Sequence, residues 1–576
     1  MSCLNLNRNP GPIQNGETGA VDLRYPFGYV RRYGSIGDGI ADDTAAIQSA
    51  LDSGAVNIYG DPQDTYLISF TGTTSVGGYR YCLLQHSGQK IDFRGATLKR
   101  ADGANAIMLT HERAYWAVLA EYDDGMELKN AVFEGNSANN PWVNSTQGIL
   151  ILYYNTTNLK VENITCSDFI SAGLSIIATT NSYINNIKAT NGTATGIKLD
   201  YFDKSFADNL YVESIVEESN EGNQGNPYTL SGILSCFGRL AWKDCDWECK
   251  IQSSNSRETT DMTFEALNGD GSGVKFEGYS TTYPVSRITI NSINVKNSKN
   301  SASLRGGLYF YQAYNISINS YMGYENGVTD PTGVIADSYE MHFHTCDNII
   351  IHAAHITTTK LGVIFSRRTN ALRWHIGLLN LIDPCAKANA GYIINHQGGQ
   401  GSIDRIRHYE SRSPNNYIYN YIYYQGLDST DMLDIGSIRT NININTNQGG
   451  TQLGTVQLMF NGTVTMAGVF RIGHVLCGTN PTYDSSKSLV TLNSAGADTV
   501  IANANIVQMA NAGFFFRPCI RIVLKDVNSA SMAQLPYPTY SQGYNSATPG
   551  FTITHPVAPA NTYIKYEAGP WELGAN

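Results

Sequence analysis

The chain has 576 residues, a formal net charge of −10 and only 15% charged residues, alongside 55 Gly and 36 Tyr. Turns and β surface explain that composition better than helix does, and the basic stripe of a nucleic-acid binder is missing. No run of about 18 apolar residues marks a membrane span, and no secretory signal is read at the N-terminus. The 10 Cys lack the paired spacing of a zinc site, so most are expected to be buried free thiols of a protein made in a reducing cytoplasm.

In chain order, residues 1–30 are rich in Asn, Gly and Pro and lack periodicity, as expected of a leader or docking peptide. At Tyr33 the texture changes to YGSIGDGIADDTAAIQSAL. Gly37-Asp38-Gly39 supplies a turn, Asp42 or Asp43 a helix N-cap, and Ile47, Ala50 and Leu51 one apolar stripe. Such a helix would cover the open end of a β stack. No Gly-Lys-Ser/Thr follows, so the turn is not read as a phosphate loop, and the two Asp are read as caps rather than metal ligands.

From Asp92 strands begin in IDFRGATLKR and MELKNAVFEGN. Between Gly148 and Gly398 a Gly, or a stand-in, is followed by apolar residues at its first and third places. The repeats start at Gly148, Gly173, Gly196, Gly232, Gly273, Gly307, Glu340, Gly362 and Gly391, 22 residues apart (Glu340 to Gly362) to 41 apart (Gly232 to Gly273). Alternation means strands with one buried face, and recurrence means the stacked coils of a solenoid. A second strand column follows in NLKVENI, SYINNI, VSRITINSI, YNISINS and DNIIIHAAHI. Asn recurs at the turns into it, and stacked Asn side chains bonding turn backbone are expected there. After Asn441 the period breaks, and 441–576 reads as a separate β-rich, sandwich-like domain for trimerisation or sugar binding.

The register also names the outward side chains. The fourth-place column reads Leu152, Ile177, Asp200, Cys236, Glu277, Tyr311, His344, Ser366, Asn395. The second-place column reads Leu150, Ser175, Lys198, Leu234, Lys275, Tyr309, His342, Ile364, Ile393. Asp200 and Glu277 are thereby expected on one face two coils apart, each beside a Lys. Coils stack at about 4.8 Å, so the spacing suits an inverting pair of glycosidase carboxyls, with Glu277 as acid and Asp200 as base. Lys198, Tyr201, Lys275, Tyr309, Tyr311, His342 and His344 are the expected sugar-binding residues, with Trp242 a further stacking candidate. Segments after Asp203 and Arg239 are read as insertions walling the stripe, where Glu213, Glu217, Glu218, Asp244, Asp246 and Glu248 are rival acids. A metal shared by His342 and His344 is set aside because no carboxylate or Cys clearly joins them. No cofactor is expected.

YGSIGDGIADDTAAIQSAL closely resembles the opening motif of pectate-lyase-like right-handed parallel β-helices, above all bacteriophage tailspikes. With the repeats, the resemblance covers residues 31 to about 440. It implies an all-β, right-handed parallel β-helix, homotrimeric on a virion and cleaving host capsular polysaccharide. The short leader resembles that of a secondary spike attached to another phage tail protein, as in phages of encapsulated enterobacteria such as Klebsiella. A polysaccharide lyase using the Lys, Tyr and His groups, and a non-catalytic capsule adhesin, stand as alternatives.

Overall fold

The computed structural model describes residues 13–14 and 17–440, except 71, 73–78, 113–121, 142–146, 218–224, 299–305, 327–338, 360–361, 368–371, 385–391, 410, 412–417 and 425–430. For Ile418–Tyr424 and beyond residue 440 it describes strand backbone alone. The chain divides into two compact units, Met1–Ser272 with Gly278–Ile288, and Gly273–Glu277 with Thr289–Asn576. Each is built of parallel strands wound as a right-handed β-helix, as the sequence leads one to expect.

In the first unit the helix Thr44–Asp52 buries Ile47, Ala50 and Leu51, the expected stripe. The capping is divided between the two Asp. Asp42 accepts the Thr44 N–H at 3.0 Å, whereas Asp43 accepts from Ile36 and Gly37 and so organises the preceding loop. Gln48 pairs with both backbone groups of Leu84, closing an edge of the strand Tyr81–Gln85 with a side chain. Within residues 1–30, Glu17 forms a fully buried ion pair with Arg32, whose hydrogen bond holds the carboxyl down at about 2.

Each strand of this unit pairs in parallel with its counterpart one coil later. One column runs through Ile151–Thr157, Ala172–Thr180, the first half of Thr195–Val216, Asn226–Ser231 and Cys249–Gln252. The other runs through Lys90–Arg100, Glu127–Glu134, Lys160–Ser167, Tyr183–Thr193, the second half of Thr195–Val216, Leu234–Lys243 and Thr259–Asp270. Alternation buries Leu174 and Ile176, Ile197 and Leu199, and Tyr228 and Leu230, all fully enclosed. Each such side chain contributes about 1.5–3 kcal/mol.

Turns into the second column are held by an amide ladder. Asn209 donates to Asn186, Asn186 to Asn163 and Asn163 to Asn130 at 2.8–3.0 Å, and all four are left-handed, with φ between 53° and 55°. Asn is the non-Gly residue that tolerates this conformation best. The expected Asn stacking is present, but the amides bond one another rather than the turn backbone.

Gly232 corrects the expected register. Asp200 pairs with Ser231, so Gly232 occupies the left-handed corner held one coil earlier by Tyr201, and Leu234 begins the second column opposite Asp203. The first-column strand of that coil is NPYTLS, Asn226–Ser231, and the next is Cys249–Gln252. Hence Cys236 and Leu234 leave the predicted stripe. Of the expected insertions, Asn226–Ser231 and Cys249–Gln252 are first-column strands, and 218–224 lie outside the described residues. The Gly148 repeat is offset by two residues, with Leu152 opposite Ser175 and Tyr154 opposite Ile177.

In the second unit, Phe276, Phe310 and Phe343 stack inward with centroids 5.1 and 5.4 Å apart. Trp374 then stacks on Phe343 at 5.1 Å, and the small Ser366 faces Phe343 in the next rung. Here too the register slips, by one residue. Ile364 and Ser366 point inward, and Phe365 and Arg367 take the outward places opposite His342 and His344. One rung on, Asn395 and Gln397 continue those rows. Parallel pairing continues past residue 440, with Met432–Thr440 against Val469–Cys477, before antiparallel pairing of Phe551–His555 and Thr562–Pro570.

Glu340, standing where the repeat has Gly, is fully buried and accepts hydrogen bonds from the Tyr321 hydroxyl and the Asn326 amide. Gly307 and Gly323 make its room, since a Cβ on either would meet the carboxylate at 2.6 or 2.1 Å. Burial lifts the carboxyl to about 7 against the pull of these donors. Between its ordinary value of 4.5 and about 7 the folded chain keeps a proton that the unfolded chain releases, so stability falls as pH rises through that window and levels off above it. Glu340→Gln removes this slope. Across that window its stability relative to wild type is expected to improve by about 3 kcal/mol, measured by denaturant unfolding at a series of pH values. Parallel curves would count against the assignment.

Candidate functional site

The outward face of the first unit carries Tyr154, Ile177, Asp200, Ser231 and Gln252 in one row, with Leu152, Ser175, Lys198, Thr229 and Lys250 beside it. Leu152, Tyr154 and Ile177 are buried although they point away from the coil interior, because Ile107, Ile149 and Ala172 cluster with them and Tyr79, Tyr81 and Tyr201 pack against that cluster. Asp200 sits at the rim of this apolar, tyrosine-rich patch. Its Oδ2 lies 3.2 Å from Lys198 Nζ, while Oδ1 is buried with no hydrogen-bond partner among the described residues. Burial pushes the Asp200 carboxyl above its ordinary value, with Lys198 opposing. A carboxyl so placed can hold a proton and deliver it to a bound group.

Tyr201 is next in sequence, at the left-handed corner with φ 52°. Its ring covers Gly232, where a Cβ would lie 3.2 Å from it. Its hydroxyl meets Ser254 and Ser256 at 3.1 and 3.0 Å. Arg257 lies over the same ring and pairs with Asp203 at 2.5 Å.

In the second unit Lys275, Tyr309, His342, Phe365 and Asn395 form one row, and Glu277, Tyr311, His344, Arg367 and Gln397 the row beside it. Tyr309, His342 and Phe365 are buried, and Tyr339 packs on the last two. The other row is more open, with Tyr311 and His344 half-buried and Arg367 exposed. Glu277 pairs with Lys275 at 3.0 Å, and Lys275 also lies over the Tyr309 ring. The Tyr311 and His344 rings stack with centroids 5.2 Å apart.

The expected residues therefore gather as two sets: Asp200, Lys198 and Tyr201 in the first unit, and Glu277, Lys275, Tyr309, Tyr311, His342 and His344 in the second. Trp242 is withdrawn as a sugar platform. It is buried, and its indole N–H donates to Ser272. Of the rival acids, Glu213 and Asp244 meet Lys243 on the second strand column, Asp246 accepts the Glu217 N–H, and Glu248 is buried. Glu218 lies outside the described residues. Among the described residues no three His, Cys, Asp or Glu side chains group as a metal site. Six free thiols are found among these residues, five of them buried.

Sequence reasoning missed Tyr154, Tyr79 and Tyr81, which set the surroundings of Asp200, and Arg367. Tyr154 was hidden by the two-residue offset and Arg367 by the one-residue slip. No local signal announces Tyr79 or Tyr81, which reach the patch from an earlier coil.

No protein-family model and no curated protein matches the chain. Among solved structures, a variant of the tailspike protein of E. coli bacteriophage HK620 matches with a TM-score of 0.53 and 10% identity, over 93% of this chain and 90% of that one. A second variant, in complex with a hexasaccharide, matches with a TM-score of 0.50 and 9% identity over the same shares. At such identity the likeness establishes the common fold.

Because Lys198 opposes the rise at Asp200, Lys198→Met is expected to push that carboxyl higher still. A carboxyl infrared titration of wild type against Asp200→Asn and Lys198→Met reads this directly. An unmoved or lowered value in Lys198→Met would contradict the electrostatic account.

Proposed function

We propose that this protein is a phage tailspike depolymerase, displayed as a homotrimer on the virion and joined to another tail protein through its N-terminal leader. It lays a bacterial capsular polysaccharide along the outward face of its strands and hydrolyses it internally. The observation that carries the reading is Asp200, a half-buried carboxyl with one enclosed, unpartnered oxygen at the rim of a tyrosine-lined patch. A tailspike of the same fold is seen with a hexasaccharide, in keeping with a carbohydrate ligand.

Glycoside hydrolysis needs a protonated carboxyl to donate to the leaving oxygen and an ionised one to activate water or attack. Sequence reasoning gave the acid role to Glu277; the surroundings of Asp200 favour that role for Asp200 instead. Burial raises the Asp200 carboxyl above its ordinary value, which favours its protonated form. Glu277, paired with Lys275 at 3.0 Å, is the sequence candidate for the second carboxylate. The aromatic rows supply faces for sugar rings. The chemistry asks for no cofactor.

Purified capsular polysaccharides of a serotype panel provide the test, followed both for new reducing ends and for the ultraviolet absorbance of unsaturated uronate. The expected result is reducing ends without that absorbance. Asp200→Asn is expected to lower kcat by about 10²–10⁴ at an unchanged melting temperature, and Glu277→Gln to lower it comparably. Absorbance rising with the reducing ends means a lyase, in which the Tyr and His row does the chemistry. Binding without either signal means an adhesin. Either outcome removes Asp200 from its role.

A further inference from the structure

We propose that Tyr311, His344 and Arg367 form a subsite for a carboxylated sugar of the polymer, a hexuronate or its chemical equivalent, with Arg367 as the carboxylate contact. This deepens the polysaccharide reading and rests on it. Parallel pairing sets the three side chains on successive rungs of one row, about 5 Å apart.

Several other outward guanidiniums are satisfied internally, while Arg405, Arg407 and Arg439 are exposed on the other strand column, away from the Tyr311 and His344 row. Arg287 is bidentate to Asp261 at 2.7 and 2.9 Å, Arg373 is bidentate to Asp347 at 2.6 and 2.8 Å, and Arg257 holds Asp203. Arg367 is exposed and makes no ion pair among the described residues. Its neighbours across the pairing are His344 and Gln397, neither of them acidic. A planar guanidinium held in this way suits bidentate capture of a carboxylate. Beside it the stacked Tyr311 and His344 rings offer a flat face to the apolar side of a pyranose. Glu277 at the far end of the row is three rungs away, about 14 Å, and lies against Lys275, which offsets its repulsion of an anionic sugar.

The subsite is tested by calorimetry on the full Asp200→Asn chain, which removes the proposed proton donor. The probes are a pool of hexuronate oligosaccharides and the same pool after reduction of its carboxyls to neutral hexoses. The acidic pool is expected to bind at least tenfold more tightly than the reduced one. Arg367→Gln is expected to weaken the acidic pool by about ten- to a hundredfold while leaving the reduced pool unchanged, and Arg367→Lys to recover part of the loss. Equal affinity for the two pools, indifference to Arg367→Gln, or no binding of either pool at millimolar concentration would overturn the subsite. Preferential uronate binding in a chain that cleaves no polysaccharide keeps the subsite and removes the hydrolase. Cleavage of neutral polymers alone does the reverse.

Discussion

Parallel pairing at about 4.8 Å per coil is the constraint on which everything else in this protein depends. Each side chain lies beside its counterpart one coil away, so whatever a position holds is repeated or answered along a row. Inward rows become ladders of Leu and Ile, or of Phe276, Phe310 and Phe343. Corner rows become the Asn130 to Asn209 amide ladder, in which Asn163 and Asn186 each donate and accept. Outward rows become linear arrays of unlike groups, which is the surface an extended polymer meets.

Several polar groups enclosed in the stack are answered by hydrogen bonds. Glu340 is met by Tyr321 and Asn326 in space released by two glycines. His396 lies between the Ser366 hydroxyl and the Gly399 carbonyl, and burial holds it down at about 4, so it stays neutral at ordinary pH. Arg100, fully buried, donates to the carbonyls of Gly135, Ala106 and Gln147, and burial lowers it to about 10. These groups cost desolvation that their hydrogen bonds offset. His396 and Ser366 resemble a nucleophile and base in chemistry, but their enclosure makes them scaffold.

Asp200 and Glu277 share a residue class and a Lys neighbour two positions earlier, yet their surroundings separate them. Asp200 borders a patch of aliphatic and tyrosine side chains, and burial raises its carboxyl against the opposing Lys198. Glu277 lies at the open end of its row with 29% of its side chain exposed. Environment rather than residue type thus separates the two carboxyls.

Strand alternation, the two columns, the Asn corners and the helix Thr44–Asp52 were legible in the sequence, because each is a local pattern with a local cause. So was the outward direction of Lys198, Asp200, Lys275, Glu277 and the Tyr and His pairs. The register of individual coils was not, since Gly recurs for two reasons. At Gly173 and Gly196 it opens a strand beside a neighbouring backbone, whereas at Gly232 it takes a left-handed corner. Only the pairing of one coil with the next tells these apart. A slip of one residue then hid Arg367 and wrongly exposed Ser366. The patch beside Asp200 draws Tyr79, Tyr81 and Ile107 from coils distant in sequence, so those surroundings were decided by tertiary structure alone.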